Sequence, residues 1–245
     1  MSERISVVCL GSGAALTQGR QWNSLLIDGH ILLDLPPTAI PQMHRLGVDP
    51  RAIDVVFITH HHGDHNLGLP FLYLEYAVRY EREEPLYVVG PDPVEEIANK
   101  AFDLAWPKLR EQGIGPRVPI KYVSIEEEGD YSAGDLQFTA IPMEHFGLHA
   151  LGYRFTYRGR TFAYTGDTGD CEQICRLLDG VDVAIIELTH GTAKEDPGHL
   201  DIHEVLRITK GLRARGATVL ATHMFDSPAP HKGITICEDG HTFYV

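Results

Sequence analysis

The chain has 245 residues, 43% hydrophobic and 22% charged, which excludes a disordered polypeptide and predicts a folded protein with a substantial core. This length is compatible with one domain spanning residues 1–245. The net charge of −13 opposes loose electrostatic binding to nucleic acid or to an anionic membrane, so any anionic substrate must be attracted locally.

Apolar runs and turn residues define the predicted elements. The predicted strands, in chain order, are 5–10, 24–27, 31–33, 55–58, 86–89, 120–124, 136–142, 151–157, 161–165, 183–187 and 218–221. The predicted helices lie near 38–46, 67–82, 92–112, 170–178 and 201–213. Asp28-Gly29 predicts a hairpin between the second and third strands, and Asp239-Gly240 predicts another over Ile234–Val245. Many strands with interspersed helices favour an α/β protein with two sheets and outer helices.

No apolar stretch is long enough for a secretory signal or a membrane span. The four cysteines fit a reduced compartment. Cys171 and Cys175 have a helical i, i+4 spacing, and we interpret them as inert thiols rather than metal ligands. We therefore expect a cytoplasmic protein without membrane contact.

The segment THHHGDH, residues 59–65, follows an apolar strand. Imidazoles and carboxylates are common ligands of zinc, manganese and iron, and a catalytic site leaves room for water. His60 and His62 alternate along the segment and are predicted to project one way, and Asp64 and His65 are candidates for a second ion. A solvated histidine-rich loop is the alternative for this segment alone.

Three further candidate ligands stand where other apolar strands end. His145 follows the strand 136–142, Asp167 lies in YTGDT after another strand, and His223 ends the run ATVLATH. Rigid elements position ligands more accurately than loops do. We therefore expect these side chains to complete a site for two metal ions, with His61 facing away from it.

The order of these motifs resembles the metallo-β-lactamase fold family over nearly the whole chain. THHHGDH matches its HxHxDH signature, and HFGLHALGY, YTGDT and LATH are similar to its later metal motifs. The resemblance implies an αββα sandwich of two mixed β-sheets flanked by helices, binding two divalent ions, Zn²⁺ or alternatively Mn²⁺ or Fe²⁺. It implies these ligands: His60, His62 and His145 for one ion, Asp64, His65 and His223 for the other, and Asp167 bridging both.

A second candidate group lies beyond the metal motifs. Glu187 ends a strand, and His199 precedes Asp201, which with Glu204 has the pattern of a helix N-cap. His199 could bind a phosphate oxygen or protonate a leaving alkoxide, while Glu187 orients its ring. A surface acid and an unrelated loop histidine are the alternative. Asp64, His199 and Glu187 are thus the candidate catalytic residues.

ELTH and GHLD resemble two motifs of the ribonuclease Z branch of this family, except that Asp201 replaces a serine or threonine. Related cyclic phosphodiesterases share this pattern, which implies a phosphodiester substrate. Ribonuclease Z enzymes bind tRNA through a long arm between the GYR and GDT motifs, whereas here only a short hairpin at Arg158-Gly159-Arg160 connects them. We therefore expect a small or cyclic phosphodiester rather than nucleic acid.

Several alternatives stay open on sequence alone. They are a tRNA 3′-processing endonuclease lacking the arm, a lactonase or arylsulfatase-like esterase, and a metal-binding scaffold without turnover. A glyoxalase-type thioesterase is disfavoured because only a short segment follows His223. The aromatic residues of 67–82 could line the pocket, but core or homodimer packing fits their helical spacing better; they are Phe71, Tyr73, Tyr76 and Tyr80. Segment 100–119 could cover the pocket.

Overall fold

Two seven-stranded mixed β-sheets pack face to face in the computed structural model, which describes residues 4–194, 196–226 and 228–245. The strands are β1 (Ser6–Gly11), β2 (Ser24–Ile27), β3 (Ile31–Leu33), β4 (Val55–Phe57), β5 (Leu86–Pro91), β6 (Ile120–Ile125), β7 (Gly129–Ala133), β8 (Leu136–His145), β9 (Leu148–Tyr157), β10 (Arg160–Tyr164), β11 (Val183–Glu187), β12 (Thr218–Thr222), β13 (Thr235–Ile236) and β14 (Thr242–Tyr244). The helices are α1 (Ala39–Leu46), α2 (Gly63–Asn66), α3 (Leu69–Val78), α4 (Val94–Ala105), α5 (Glu172–Leu178), α6 (Ile202–Ile208) and α7 (Lys210–Ala214).

The strand order is β14-β1-β2-β3-β4-β5-β6 in the first sheet and β13-β12-β11-β10-β9-β8-β7 in the second. Neighbours from β3 to β6 and from β10 to β13 are parallel, and the other neighbours are antiparallel. Parallel strands direct their carboxyl ends to the same edge of a sheet. Loops from both sheets therefore meet at one end of the sandwich.

Three apolar layers stabilise this arrangement. The layer between the sheets includes Phe57, whose ring lies 5.0 Å from that of Phe138 and stacks on Phe155 at 5.5 Å. Helices α1, α3 and α4 cover the outside of the first sheet, and α5, α6 and α7 cover the second. The predicted αββα sandwich is confirmed. No helix in the described ranges is long and apolar enough to cross a membrane.

The helix predicted over 67–82 begins differently in the structure. A short helix, α2, precedes Gly68, and α3 begins after it. A Cβ at Gly68 would lie 2.5 Å from the carbonyl oxygens of both Leu35 and Pro36, so this close approach requires glycine. Tyr73 and Tyr76 of α3 are fully buried, which confirms core packing for these two aromatic residues.

Two other predicted helices are shorter than expected. Helix α4 ends at Ala105 instead of continuing to 112, because Pro107 disfavours helical backbone at Trp106. Trp106 Nε1 donates to the carbonyl of Pro70, so part of segment 100–119 packs on α3. The predicted helix 201–213 is divided at Thr209 into α6 and α7.

The predicted C-terminal hairpin is wrong. β13 pairs with β12 in the second sheet, whereas β14 pairs with β1 in the first. Asp239 and Gly240 do form a turn, in which the His241 N–H donates to the Glu238 carbonyl, and the Asp239 carboxylate also accepts hydrogen bonds from the backbone N–H groups of Ser12 and Gln21. The two strands thus cover one edge of each sheet, where unpaired backbone groups would otherwise be exposed. Strand β7 was not predicted, because GDYSA carries little apolar alternation.

Candidate metal centre

The candidate ligands lie where strands of both sheets end. His60, His62, Asp64 and His65 follow β4, whose three residues are buried on both faces. His145 is the last residue of β8, and His223 directly follows β12. Asp167 follows β10 after a glycine turn. The strand ends therefore bring the seven predicted ligands to one end of the sandwich.

Asp167 lies at the middle of this cluster. Its Oδ2 atom is 3.3 Å from Nε2 of His65 and 3.2 Å from Nε2 of His223. The corresponding distances to His145 and His60 are 3.9 and 4.0 Å. One carboxylate oxygen thus faces four imidazole nitrogens, as a bridging ligand would.

Among the described residues, candidate ligand atoms form five overlapping groups of three, and two of these groups have the composition that the family resemblance implies for the two ions. The first contains His60, His62 and His145, and the second contains Asp64, His65 and His223; within each group the ligand atoms lie within 4.8 Å of one another. The other three groups each include Asp167 or His199, so the assignment of ligands to two separate ions stays a prediction. All members except His62 and Asp64 are buried, so the site opens to solvent on the side of these two residues.

Unpaired polar atoms point to cations as the natural partners of this cluster. Among the described residues, the buried atoms without a hydrogen-bond partner include His60 Nε2, His65 Nε2, His223 Nε2 and Asp167 Oδ1. Buried polar groups are normally paired, and leaving one unpaired costs about 1–3 kcal/mol. Since imidazole nitrogens and carboxylate oxygens are zinc, manganese and iron ligands, the residues present fit divalent metal ions.

The protonation tendencies of His60 and Asp167 suit cations, whereas for His65, although burial lowers the pKa, the charges of Asp167 and Asp34 raise it well above its usual value. Burial, reinforced by the nearby His65, lowers the pKa of His60 well below its usual value, which keeps this imidazole neutral. Although burial opposes ionisation of Asp167, the charges of His223 and His65 hold its pKa well below the usual range. Neutral imidazole and ionised carboxylate are the forms that ligate metals.

A buried carboxylate that sequence analysis missed orients His65. Asp34 is fully buried, and its Oδ2 atom lies 2.8 Å from Nδ1 of His65. The same carboxylate accepts hydrogen bonds from Tyr164 Oη at 2.5 Å and from the Thr59 backbone N–H at 2.8 Å. Asp34 directly follows β3, so the strand-end rule that selected the metal ligands also applies to it.

Other ligand imidazoles are also fixed through Nδ1, which leaves Nε2 for the centre. His145 Nδ1 donates to the carbonyl of Gly198 at 2.8 Å, and His223 Nδ1 lies 2.9 Å from Thr189 Oγ1. Such outer partners set the tautomer and orientation of ligating histidines. Thr189 lies in the segment ELTH, but no role for it was predicted. His61 faces away, as expected, with Nε2 2.9 Å from the carbonyl of Pro91.

Glu187 and His199 form a buried pair beside the cluster. Glu187 is 1% exposed, so the interpretation of it as a surface acid is wrong. Its Oε1 atom lies 3.1 Å from Nδ1 of His199, and its carboxylate also accepts hydrogen bonds from Thr168 N–H and Thr189 Oγ1. Although burial opposes a charged His199, the hydrogen bond and charge of Glu187 raise the pKa of His199 to about 9.

Asp201 caps helix α6 behind this pair. Its carboxylate accepts hydrogen bonds from the backbone N–H groups of His203 and Glu204, and Glu204 accepts one from the Asp201 N–H. This confirms the predicted capping box, and aspartate performs this role as well as serine or threonine does. The departure from the motif at Asp201 therefore leaves the placement of His199 intact.

Comparison with known proteins finds similar sequences and similar structures. Residues 26–224 match the model of the beta-lactamase superfamily domain. The chain is 24% identical to a ribonuclease Z of Metallosphaera sedula over 84% of each protein. The human short-form tRNase Z superposes with a TM-score of 0.77 at 19% identity, covering 97% of this chain and 98% of that one. A diphosphatase from the PhnP family superposes with a TM-score of 0.74 at 20% identity, covering 98% and 97%.

Proposed function

The chain belongs to the beta-lactamase superfamily, as a metal-dependent hydrolase of the ribonuclease Z-like branch, and we propose that it hydrolyses a small or cyclic phosphodiester. The ligand sets that we propose are His60, His62 and His145 for one divalent ion, Asp64, His65 and His223 for a second, and Asp167 for both. Zn²⁺ suits these donors, with Mn²⁺ or Fe²⁺ as alternatives. When bound, the ions would supply a hydroxide nucleophile at neutral pH and positive charge for the phosphate oxygens.

The position of His199 is the observation that carries this proposal. One of its ring nitrogens lies within 4.8 Å of ligand atoms of His145 and Asp167. Glu187 holds Nδ1, so Nε2 is the ring nitrogen left to face a substrate. An N–H donor at this place can hold a phosphate oxygen and give its proton to the leaving alkoxide. Asp64 acts here as a metal ligand on the solvent side of the centre.

The surroundings of the centre favour a small substrate. Strands β9 and β10 are joined through the two residues Arg158 and Gly159, where Tyr157 pairs with Arg160. No arm for a large nucleic acid is therefore inserted at this turn. The net charge of −13 also disfavours a polyanion, which needs a basic surface. Phe225, two residues after His223, lines a cavity of about 300 Å³ together with residues that include Leu16 and Arg20.

tRNA 3′ processing is the second candidate, because the relatives named above include a ribonuclease Z. A lactonase or arylsulfatase-like esterase is the third, since a dinuclear centre does not select phosphorus over carbon or sulfur. A scaffold without turnover is the non-enzyme alternative. A homodimer remains a prediction, which light scattering would test directly.

An assay with four substrate types separates these functions. The purified protein is stripped of metal, reloaded with Zn²⁺ or Mn²⁺, and given bis(p-nitrophenyl) phosphate, 2′,3′-cyclic AMP, a thioester or lactone, and a precursor tRNA. We expect metal-dependent hydrolysis of the two phosphodiesters. Activity confined to the thioester or lactone would refute the proposal, and rapid cleavage of the tRNA alone would establish the second candidate.

A further inference from the structure

An exposed aromatic ring stands at the rim of the candidate centre. Phe146 directly follows the proposed ligand His145, and 58% of its surface is exposed. Its ring centroid lies 4.9 Å from that of His145 and 5.6 Å from that of His199. The ring therefore borders both the metal cluster and the group that would contact the phosphate.

The backbone of Phe146 is unfavourable for its side chain. Phe146 and Gly147 form the two-residue turn between β8 and β9, where His145 pairs with Leu148. Their φ angles are 48° and 74°. Such turns favour asparagine followed by glycine, because bulky residues rarely adopt the left-handed region. Folding alone would thus select a different residue at position 146.

Gly198 packs against the outer edge of the Phe146 ring. A Cβ at Gly198 would lie 2.4 to 2.6 Å from Cζ, Cε1 and Cε2 of Phe146, so the outer edge of the ring rests directly on the glycine backbone. The carbonyl of Gly198 also accepts the hydrogen bond from His145. The ring is therefore fixed relative to the centre, although most of it is accessible.

We propose that Phe146 is a stacking platform for a planar aromatic group, such as a nucleobase, carried by the phosphoester that binds at the metal cluster. A strained and exposed residue at a site indicates a functional constraint. Every nucleobase offers a π-face, and stacking on an aromatic side chain strengthens binding on the order of tenfold per base. This proposal rests on the proposed function, because it requires the phosphate to bind beside His199.

Binding of two ligands that share a phosphate tests the platform without turnover. The Zn²⁺-loaded protein is titrated calorimetrically with AMP and with ribose 5-phosphate, which lacks the base. We expect the wild type to bind AMP about tenfold more tightly than ribose 5-phosphate. F146N should bring this ratio close to one and leave the affinity for ribose 5-phosphate unchanged.

Measurements on three variants exclude misfolding as the cause of a lost AMP preference in F146N. Asn is favoured at this turn position, so the melting temperature of F146N should equal or exceed that of the wild type. F146Y retains an aromatic ring and should retain the AMP preference. Leu148, in the same hairpin, is 42% exposed, so L148A removes a similar apolar surface and should also leave the preference unchanged.

Two results with the wild type would overturn the platform: no binding of AMP, or equal affinities for AMP and ribose 5-phosphate. Two results with F146N would also overturn it: a preference for AMP that stays near tenfold, or an equal loss of affinity for both ligands. The last result would show that Phe146 only positions His145 and His199. Hydrolysis of bis(p-nitrophenyl) phosphate is measured in parallel. An intact AMP preference without any phosphodiester hydrolysis supports the platform and refutes the proposed function alone.

Discussion

The buried carboxylate of Glu187 lies 3.1 Å from Nδ1 of His199 at the rim of the candidate metal centre. Four hydrogen bonds to Glu187 come from other groups, namely the Thr168, Thr189 and Leu200 N–H groups and the Thr189 hydroxyl. The position of the carboxylate is therefore set by the fold rather than by His199. The imidazole is oriented by a group that cannot readily move with it.

Replacing His199 by alanine should separate chemistry from metal binding. If His199 protonates the leaving oxygen, H199A lowers kcat for 2′,3′-cyclic AMP about 10²- to 10⁴-fold. The loss should be much smaller for bis(p-nitrophenyl) phosphate, whose nitrophenolate leaves without a proton. Metal content, measured by plasma mass spectrometry, should equal that of the wild type. A fall in metal content would mean that His199 is a ligand.

Replacing Glu187 by glutamine should lower the pKa of His199. Burial disfavours the charged ring, and the carboxylate outweighs this effect to raise the pKa to about 9, so the proton is retained until the pH rises through that value. In E187Q only the burial effect and weaker partners remain, and the proton should leave at lower pH. NMR titration of the metal-free protein measures the change, with exposed His241 as the internal reference. An unchanged His199 titration would contradict the pairing.

Replacing Asp34 by asparagine should weaken metal binding although Asp34 is not a proposed ligand. The carboxylate orients His65, and loss of such a partner typically costs about 10- to 100-fold in metal affinity. Competition with a chromogenic chelator measures the affinity. Y164F removes one donor to Asp34 but keeps the carboxylate, and it should therefore have a smaller effect. Equal metal affinity in D34N and the wild type would refute the role of Asp34.

Replacing Asp28 by asparagine should reduce stability in a pH-dependent way. At the end of the sandwich opposite the centre, Asp28 accepts hydrogen bonds from the Ser6 N–H and from Arg158 of the second sheet. Although burial opposes ionisation, these donors lower the pKa of Asp28. The stabilisation is therefore present above the unfolded-state pKa of about 4 and is lost as the pH falls through the folded-state pKa.

Urea unfolding of D28N should show a loss of about 1 kcal/mol at pH 7 relative to the wild type. This difference should shrink as the pH falls below about 4. D135N, which changes an exposed acid in the turn before β8, serves as the matched control and should show little change. A D28N deficit that is constant with pH would argue against the ion pair.

Residues at strand ends were predictable because strand and motif are contiguous in the chain. The apolar run before His60 specifies β4, and the same pattern precedes Asp167 and His223. The capping box at Asp201 is also local, since all its groups lie within four residues. Asp34 and Thr189 were missed as partners because their hydrogen bonds join segments about 30 residues apart or more.

The amino-acid sequence by itself determined the fold class and the set of candidate ligands, because apolar periodicity and ligand spacing are local properties of the sequence. Only the tertiary structure decided which sheet each C-terminal strand joins, that Glu187 is buried, and that Phe146 rests on Gly198 beside His199. Burial and ring contacts depend on the packing of distant segments. Neighbouring residues in the sequence do not specify which distant segments pack against one another.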